Sequence, residues 1–225
     1  MSAVKGVRAK RMPRAVREQQ MMDAAVQTFG QRGYRAASMD EIAELAGVSK
    51  PLVYLYLNSK EELFTACIRR EAQRLTEAVQ AAIQPGLTAD QQMWAGLEAF
   101  FRHTQENPDG WSVLHRQART HGEPFAAEVS KMREEIAAFV TVLIGAAARK
   151  GVPPAPGTAG AHRSGELADR DIEGLAQALV GAAESLAGWS NDSGGMSAKE
   201  AAGLLMNFAW TGLGGLMDGE RWSPR

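Results

Sequence analysis

The sequence predicts an all-α protein in which a small three-helix head precedes a larger helical body. Three observations carry this reading. Alternating apolar and polar runs of the strand type are nearly absent. Apolar residues recur instead at spacings of three and four, in stretches rich in Ala, Leu, Glu, Gln, Met and Arg. Gly and Pro cluster at the points that divide those stretches.

Each element has its own local reason. Residues 1–12 read as a flexible basic arm. From Pro13 or Arg14 the residues Met22, Val26 and Phe29 keep helical spacing, and Gly33 marks a left-handed stop. Ser38 and Glu41 form a capping-box pattern, in which each side chain would satisfy a free backbone donor. That opens a second helix carrying Ile42 and Leu45 and ending at Gly47. Ser49 caps a third helix, and Pro51 sits in its first turn, where a missing N–H costs little. Within it Val53, Leu55 and Leu57 are expected to help anchor the helix. Ser59 and Glu62 repeat the capping box, and Phe64, Ile68, Leu75, Val79 and Ala82 continue a stripe until Pro85 and Gly86.

Further helices are expected near residues 89–105, 109–119 and 124–149. The last of these carries one apolar face, through Phe125, Val129, Met132, Ile136, Phe139 and Leu143. Residues 151–165 read as a mobile loop, and helices near 169–189 and 197–217 complete the chain. The expected organisation is thus an arm at 1–12, a head at 13–58 and a body at 59–225.

The composition narrows the function. Hydrophobic residues make up 45% of the 225, enough for a buried core. The net charge of −1 hides an uneven distribution, because residues 1–60 carry ten basic and five acidic side chains. Residues 1–60 are therefore +5 and the remainder −6, an asymmetry that points to a polyanion bound at one end. The single cysteine, Cys67, cannot form an intramolecular disulfide, which suits a reducing compartment. With no run of about eighteen apolar residues, no membrane span is expected, and the chain reads as soluble and cytoplasmic.

Catalytic and metal chemistry find little support. His103, His115, His121, His162 and Cys67 show none of the close spacings of zinc ligands, so no metal or other cofactor is expected. Gly212, Gly214 and Gly215 follow no strand and so do not suggest a nucleotide loop. Glu134 and Glu135 are adjacent and most simply solvated. A helical enzyme with an incidental head therefore stands behind a binding protein.

Residues 14–64 describe three short helices, the second and third joined by a tight turn at Gly47 and Val48. This is the helix-turn-helix arrangement, whose second member enters the major groove of DNA. Over about forty positions "AAVQTFGQRGYRAASMDEIAELAGVSKPLVYLYLNSKEELF" resembles the N-terminal domain of the TetR family of bacterial transcriptional regulators. The resemblance implies a homodimer that binds a double-stranded DNA operator, with a body that dimerises through its last two helices and encloses a small-molecule effector. Carried over by position, Lys50, Pro51, Leu52, Tyr54 and Tyr56 would face DNA, and Lys60 would bind phosphate. Ser38 and the backbone at Met39 would meet phosphate at the second helix N-terminus.

Two features depart from the family pattern. Many relatives have Gly where Pro51 stands, and His-Tyr-Phe where this chain has Leu55, Tyr56 and Leu57. Pro51 and Leu52 then suit apolar contact with thymine methyls better than bidentate hydrogen bonds. Tyr54 and Tyr56 do not share a helical face, which leaves one of them open to core packing. The arm residues Lys5, Arg8, Lys10 and Arg11 either track the minor groove or stay unstructured.

In the body, "NPDGWSVLHRQA", "LVGAAESLAGWS" and "LLMNFAWTGLGGLMDG" resemble segments of the same family. Small residues such as Gly181 and Gly188 would let helices approach closely, and Leu205, Phe208, Gly212 and Leu216 would form the dimer stripe. Effector-lining residues are expected among Trp94, Phe101, Trp111, His115, Met132 and Phe139, with Phe208 as a further candidate. His103, His115, Arg119 and Glu184 are the polar candidates to orient a ligand. The effector is expected to be mostly hydrophobic and the regulator a repressor. A constitutive DNA binder without a ligand is the alternative, and it requires a solid body.

Overall fold

The computed structural model describes residues 13–56, 58–150 and 167–217; for residues 56, 149, 150 and 211–217 it describes the backbone alone. The basic arm at 1–12, the loop at 151–165, His162, Leu57 and the side chains of Tyr56 and Leu216 lie outside the described residues. Among those described, every regular element is a helix.

The head comprises α1 (Arg14–Arg32), α2 (Met39–Leu45) and α3 (Lys50–Tyr56). A long α4 (Lys60–Ala82) leads to α5 (Ala89–Glu106) and the short α6 (Pro108–Ser112). A π-helical turn at Val113–Gln117 joins α6 to α7 (Ala118–Thr120). Then follow α8 (Phe125–Lys150), α9 (Asp169–Ser193) and α10 (Ala198–Met217).

Gly33 ends α1 by a route that differs from the expected one. Its φ is 81° but its ψ is 159°, so the chain leaves the helix extended and not in a left-handed turn. That region is essentially reserved for glycine, while the Gly33 N–H still donates to the Phe29 carbonyl at 3.0 Å.

Both capping boxes are half formed. Ser38 Oγ accepts from the Asp40 and Glu41 N–H groups, but the Glu41 carboxylate is taken by Arg32 at 3.1 Å. Ser59 Oγ accepts from the Glu62 N–H at 3.0 Å. The Glu62 carboxylate reaches past the cap to the Asn58 N–H at 3.1 Å. Serine alone supplies each cap, and the glutamates tie the cap to the segment before it.

Helix α4 belongs to both halves. Its first turns bury Leu63, Phe64, Cys67 and Ile68 against the head, and Leu75 continues the same stripe into the body. Phe64 lies 4.8 Å from the rings of Phe29, Tyr34 and Phe125, so α1, α4 and α8 share one aromatic cluster. Each fully buried Phe side chain there contributes roughly 1.5–3 kcal/mol by leaving water. Burial also pushes the Cys67 thiol far up, leaving it a packing residue.

A second seam joins head to body through α1 and α6. Ser112 Oγ donates to the Gly30 carbonyl at 2.9 Å, and Gln31 Nε2 donates to Asp109 at 3.2 Å. A Cβ on Gly30 would stand 2.7 Å from the Asp109 carbonyl oxygen, so only glycine permits this approach. Beside the seam Glu71 is 2% exposed, paired with Arg70 at 2.8 Å, which also holds Asp23 at the same distance. The buried carboxylate is thereby charge-compensated by a residue that also grips α1.

In the body, α5 packs on α4 and α10, and α8 packs on α9. Of the stripe expected on α10, the structure separates Leu205 from Phe208. Leu205 is buried in the protomer's own core, whereas Leu204 and Phe208, one helical turn apart, face outward. Phe208 is 75% exposed, which removes it from the effector-lining candidates.

Candidate nucleic-acid interface and ligand cavity

The turn between α2 and α3 is built by Gly47, at φ 66°, and by the Val48 N–H donating to the Ala43 carbonyl at 2.9 Å. Val53 is 1% exposed and fixes α3 to the head core. Advancing 100° per residue from Val53 turns its neighbours outward. Tyr54 and Pro51 are exposed and Leu52 is half-buried. Leu55 is 77% exposed, so it is a surface residue and not the expected anchor, because it stands two positions from Val53 on nearly the opposite face.

The charged candidates are engaged within the head. Lys50 Nζ pairs with Asp40 at 2.9 Å across the α2–α3 turn, and that hydrogen bond holds its pKa above the ordinary lysine range. Lys60 Nζ donates to the Arg35 carbonyl at 3.2 Å and sits 4.9 Å above the Tyr34 ring. Burial lowers its pKa from the ordinary value. Arg35 lies three residues before Ser38, so Lys60 stands close in the chain's path to the α2 N-terminus. There Ser38 uses its oxygen as an acceptor for two backbone N–H groups, which leaves its own O–H proton free to donate. A helix start with a free hydroxyl and nearby ammonium groups is an anion-binding arrangement.

The body holds a partly open cavity of about 100 Å³ between α4, α5, α8 and α9. Its walls are almost wholly apolar. Trp111, Met132 and Phe139 line it, together with residues the sequence reading placed elsewhere or passed over, among them Leu75, Val79, Met93, Phe100 and Trp210. Phe101 is fully buried behind the wall, since Phe100 takes the cavity face and the next residue is turned by 100°. Trp94 packs toward Gly203 on α10, and His115 stacks behind Trp111 with ring centroids 4.8 Å apart. The α4 wall was foreshadowed by its apolar stripe, and Met93 and Phe100 share a face by their spacing of seven.

Polar groups in the lining are few, carried by Gln92, Trp111, Glu184 and Trp210. The Trp111 indole Nε1 is buried without a hydrogen-bond partner among the described residues. Such a donor costs about 1–3 kcal/mol unless something accepts from it. Glu184 lines the same cavity, and its Oε2 accepts from Arg119 at 3.1 Å and Arg133 at 3.2 Å. Burial first, then the charge of Arg119, lowers the His115 pKa, so the ring beside Trp111 is neutral near pH 7. His103 lies outside the cavity lining, and Arg119 reaches it only through Glu184. Among the described residues no three His, Cys, Asp or Glu side chains gather as metal ligands.

Known proteins bear on this arrangement directly. A family model described as bacterial regulatory proteins, tetR family, matches residues 21–67, and one described as tetracyclin repressor-like, C-terminal domain, matches residues 89–212. The HTH-type transcriptional activator FasR of Mycolicibacterium smegmatis is 32% identical over 206 residues, covering 92% of this chain and 87% of that protein. The HTH-type transcriptional regulator BetI of Rhizobium meliloti is 33% identical over 111 residues, covering 48% of this chain and 55% of its own length. Among solved structures, a TetR-like transcriptional regulator from Rhodococcus sp. RHA1 superposes with a TM-score of 0.75 at 39% identity, over 91% of this chain and all of that one. The regulator FadR of Bacillus subtilis, solved in complex with stearoyl-CoA, shares the fold with a TM-score of 0.67 at 16% identity, over 91% of this chain and all of that one. With both halves of the chain matched and a relative similar along nearly its whole length, this protein is a member of the TetR family of helix-turn-helix transcriptional regulators.

Proposed function

We propose that the protein is a cytoplasmic, homodimeric repressor that holds a palindromic operator and releases it when a small, largely apolar effector enters the body cavity. The observation that carries this reading is the cavity's position. Leu75 and Val79 of its wall belong to the helix whose first turns pack under the head. An effector that fits one tilt of α4 better than another shifts the heads by that difference in affinity and by nothing else. A solid body would favour a constitutive DNA binder; an apolar cavity between α4, α5, α8 and α9 favours a ligand-responsive one.

On the DNA side, Lys50, Pro51, Leu52, Tyr54 and Tyr56 are the proposed α3 contacts. Ser38, the Met39 N–H and Lys60 are the proposed phosphate contacts. The dimer forms through α9 and α10, where Trp189, Leu204 and Phe208 lie exposed on adjacent helices. Such a dimer sets two α3 helices about 34–36 Å apart, one turn of B-DNA.

The experiment is a titration of a duplex enriched from a random pool by the protein itself, with and without 1-dodecanol as a probe lipophile. Repression by release predicts that the probe weakens binding about tenfold or more. An unchanged affinity with dodecanol bound in the cavity removes the proposed coupling. The similarity to an activator over 92% of the chain favours a second reading, in which the bound protein raises transcription. A reporter driven from the enriched site separates the two by the sign of its response to deleting the regulator.

A further inference from the structure

The outward pole of α3 bears on which base the head reads, an inference that rests on α3 entering the major groove. Val53, 1% exposed, marks the inward direction of this helix. At about 100° per residue, Lys50 and Tyr54 stand on one flank and Leu52 on the other, whereas Pro51 and Leu55 fall within about 20° of the direction opposite Val53. The exposures agree with that geometry, since Leu55 is 77% exposed and Tyr54 only 39%.

A single exposed leucine on a protein surface needs no explanation. Leu55 differs by its place, at the centre of the face that a helix-turn-helix turns toward DNA. Lys50 stands off that centre and is tied to Asp40 at 2.9 Å, and Tyr54 stands on the flank. Among the described side chains of α3, the two at the pole, those of Pro51 and Leu55, have no hydrogen-bonding group. In the major groove the bases present donors and acceptors, and thymine alone adds a methyl group. A leucine pressed on a polar base edge strips its water and returns no hydrogen bond. Against a thymine methyl it buries hydrocarbon on both sides.

We propose that Leu55 is a base-reading residue, which packs on the C5 methyl of one thymine in each half-site and so sets part of the operator preference. The contact depends on the methyl and not on the pairing edge of the base. Pro51 stands one turn earlier on the same pole, so a methyl met by Pro51 is a separate contact, one that survives the loss of Leu55.

The test replaces each thymine of the pool-enriched duplex in turn by deoxyuridine, which keeps the base pair and removes only the methyl. Binding of the full-length wild type and of Leu55→Ala is measured by anisotropy at one salt concentration. At one thymine per half-site the wild type is expected to lose affinity about fourfold, and about tenfold or more when both are replaced. Leu55→Ala is expected to bind the thymine duplex about tenfold more weakly and to be indifferent to deoxyuridine at those two positions. Alanine favours the helix and the side chain removed is exposed, so the variant is expected to fold. The same penalty in wild type and variant at every position overturns the role of Leu55. So does the lack of any penalty in the wild type, or an enriched duplex without thymine in its half-sites, and in each of these cases the head still prefers its own duplex. Failure to enrich any duplex overturns the entry of α3 into the groove as well.

Discussion

At the scale of single residues, two of the lysines proposed to meet DNA already have partners within the head. Lys50 is paired with Asp40 at 2.9 Å on an exposed surface, so a phosphate at the proposed contact would compete with that carboxylate. Asp40→Asn removes that competitor and a negative charge at the start of α2. It is expected to tighten operator binding about two- to fivefold in an anisotropy titration. Lys50→Ala is expected to weaken binding to all sequences alike and reduce the slope of log affinity against log salt by about one. Ser38, Lys50 and Lys60 were legible as phosphate candidates because their chemistry is local and their positions follow the helix-turn-helix pattern. The Ser38 cap was legible as well, as the serine half of the capping box; the engagement of Lys50 with the Asp40 carboxylate and of Lys60 with the Arg35 carbonyl was not, since it depends on how α2, α3 and α4 meet.

At the scale of elements, helix starts and stops were readable because Ser, Pro and Gly act within one turn of where they stand. What pattern alone leaves undetermined is which of two adjacent apolar residues faces inward. Phe100 and Phe101, and Leu204 and Leu205, are equivalent in sequence, and the packing of α5 against α4 and α10 separates them. The π-helical turn at Val113–Gln117 has no local signal, yet it lies where Gln117 Oε1 accepts from the Tyr34 N–H at 3.3 Å. It belongs to the α1–α6 seam, whose closest point is Gly30 against Asp109. Gly30→Ala forces that seam apart and is expected to cost about 1–3 kcal/mol, read from urea denaturation. Because Ser112 follows Trp111 of the cavity wall and bonds Gly30 of the head, the same variant is expected to weaken the effect of an effector on DNA binding.

At the scale of the whole molecule, a net +5 over residues 1–60 against −6 over the rest suits a protein that turns one end to a polyanion. The exposed apolar residues of α9 and α10 are where the proposed dimer would hold two heads together. Phe208→Asp places a charge on that face at no cost to the protomer core, since the side chain is 75% exposed. It is expected to yield folded monomers by light scattering and to lose most operator affinity with the second half-site contact. The direct test of the account is an anisotropy titration of the wild-type protein with its pool-enriched duplex and a scrambled duplex, at 50 and 200 mM salt. The account predicts a strong preference for the enriched duplex, and an affinity that falls about a thousandfold or more between the two salt concentrations. Equal affinity for both duplexes, unchanged by salt, would contradict it.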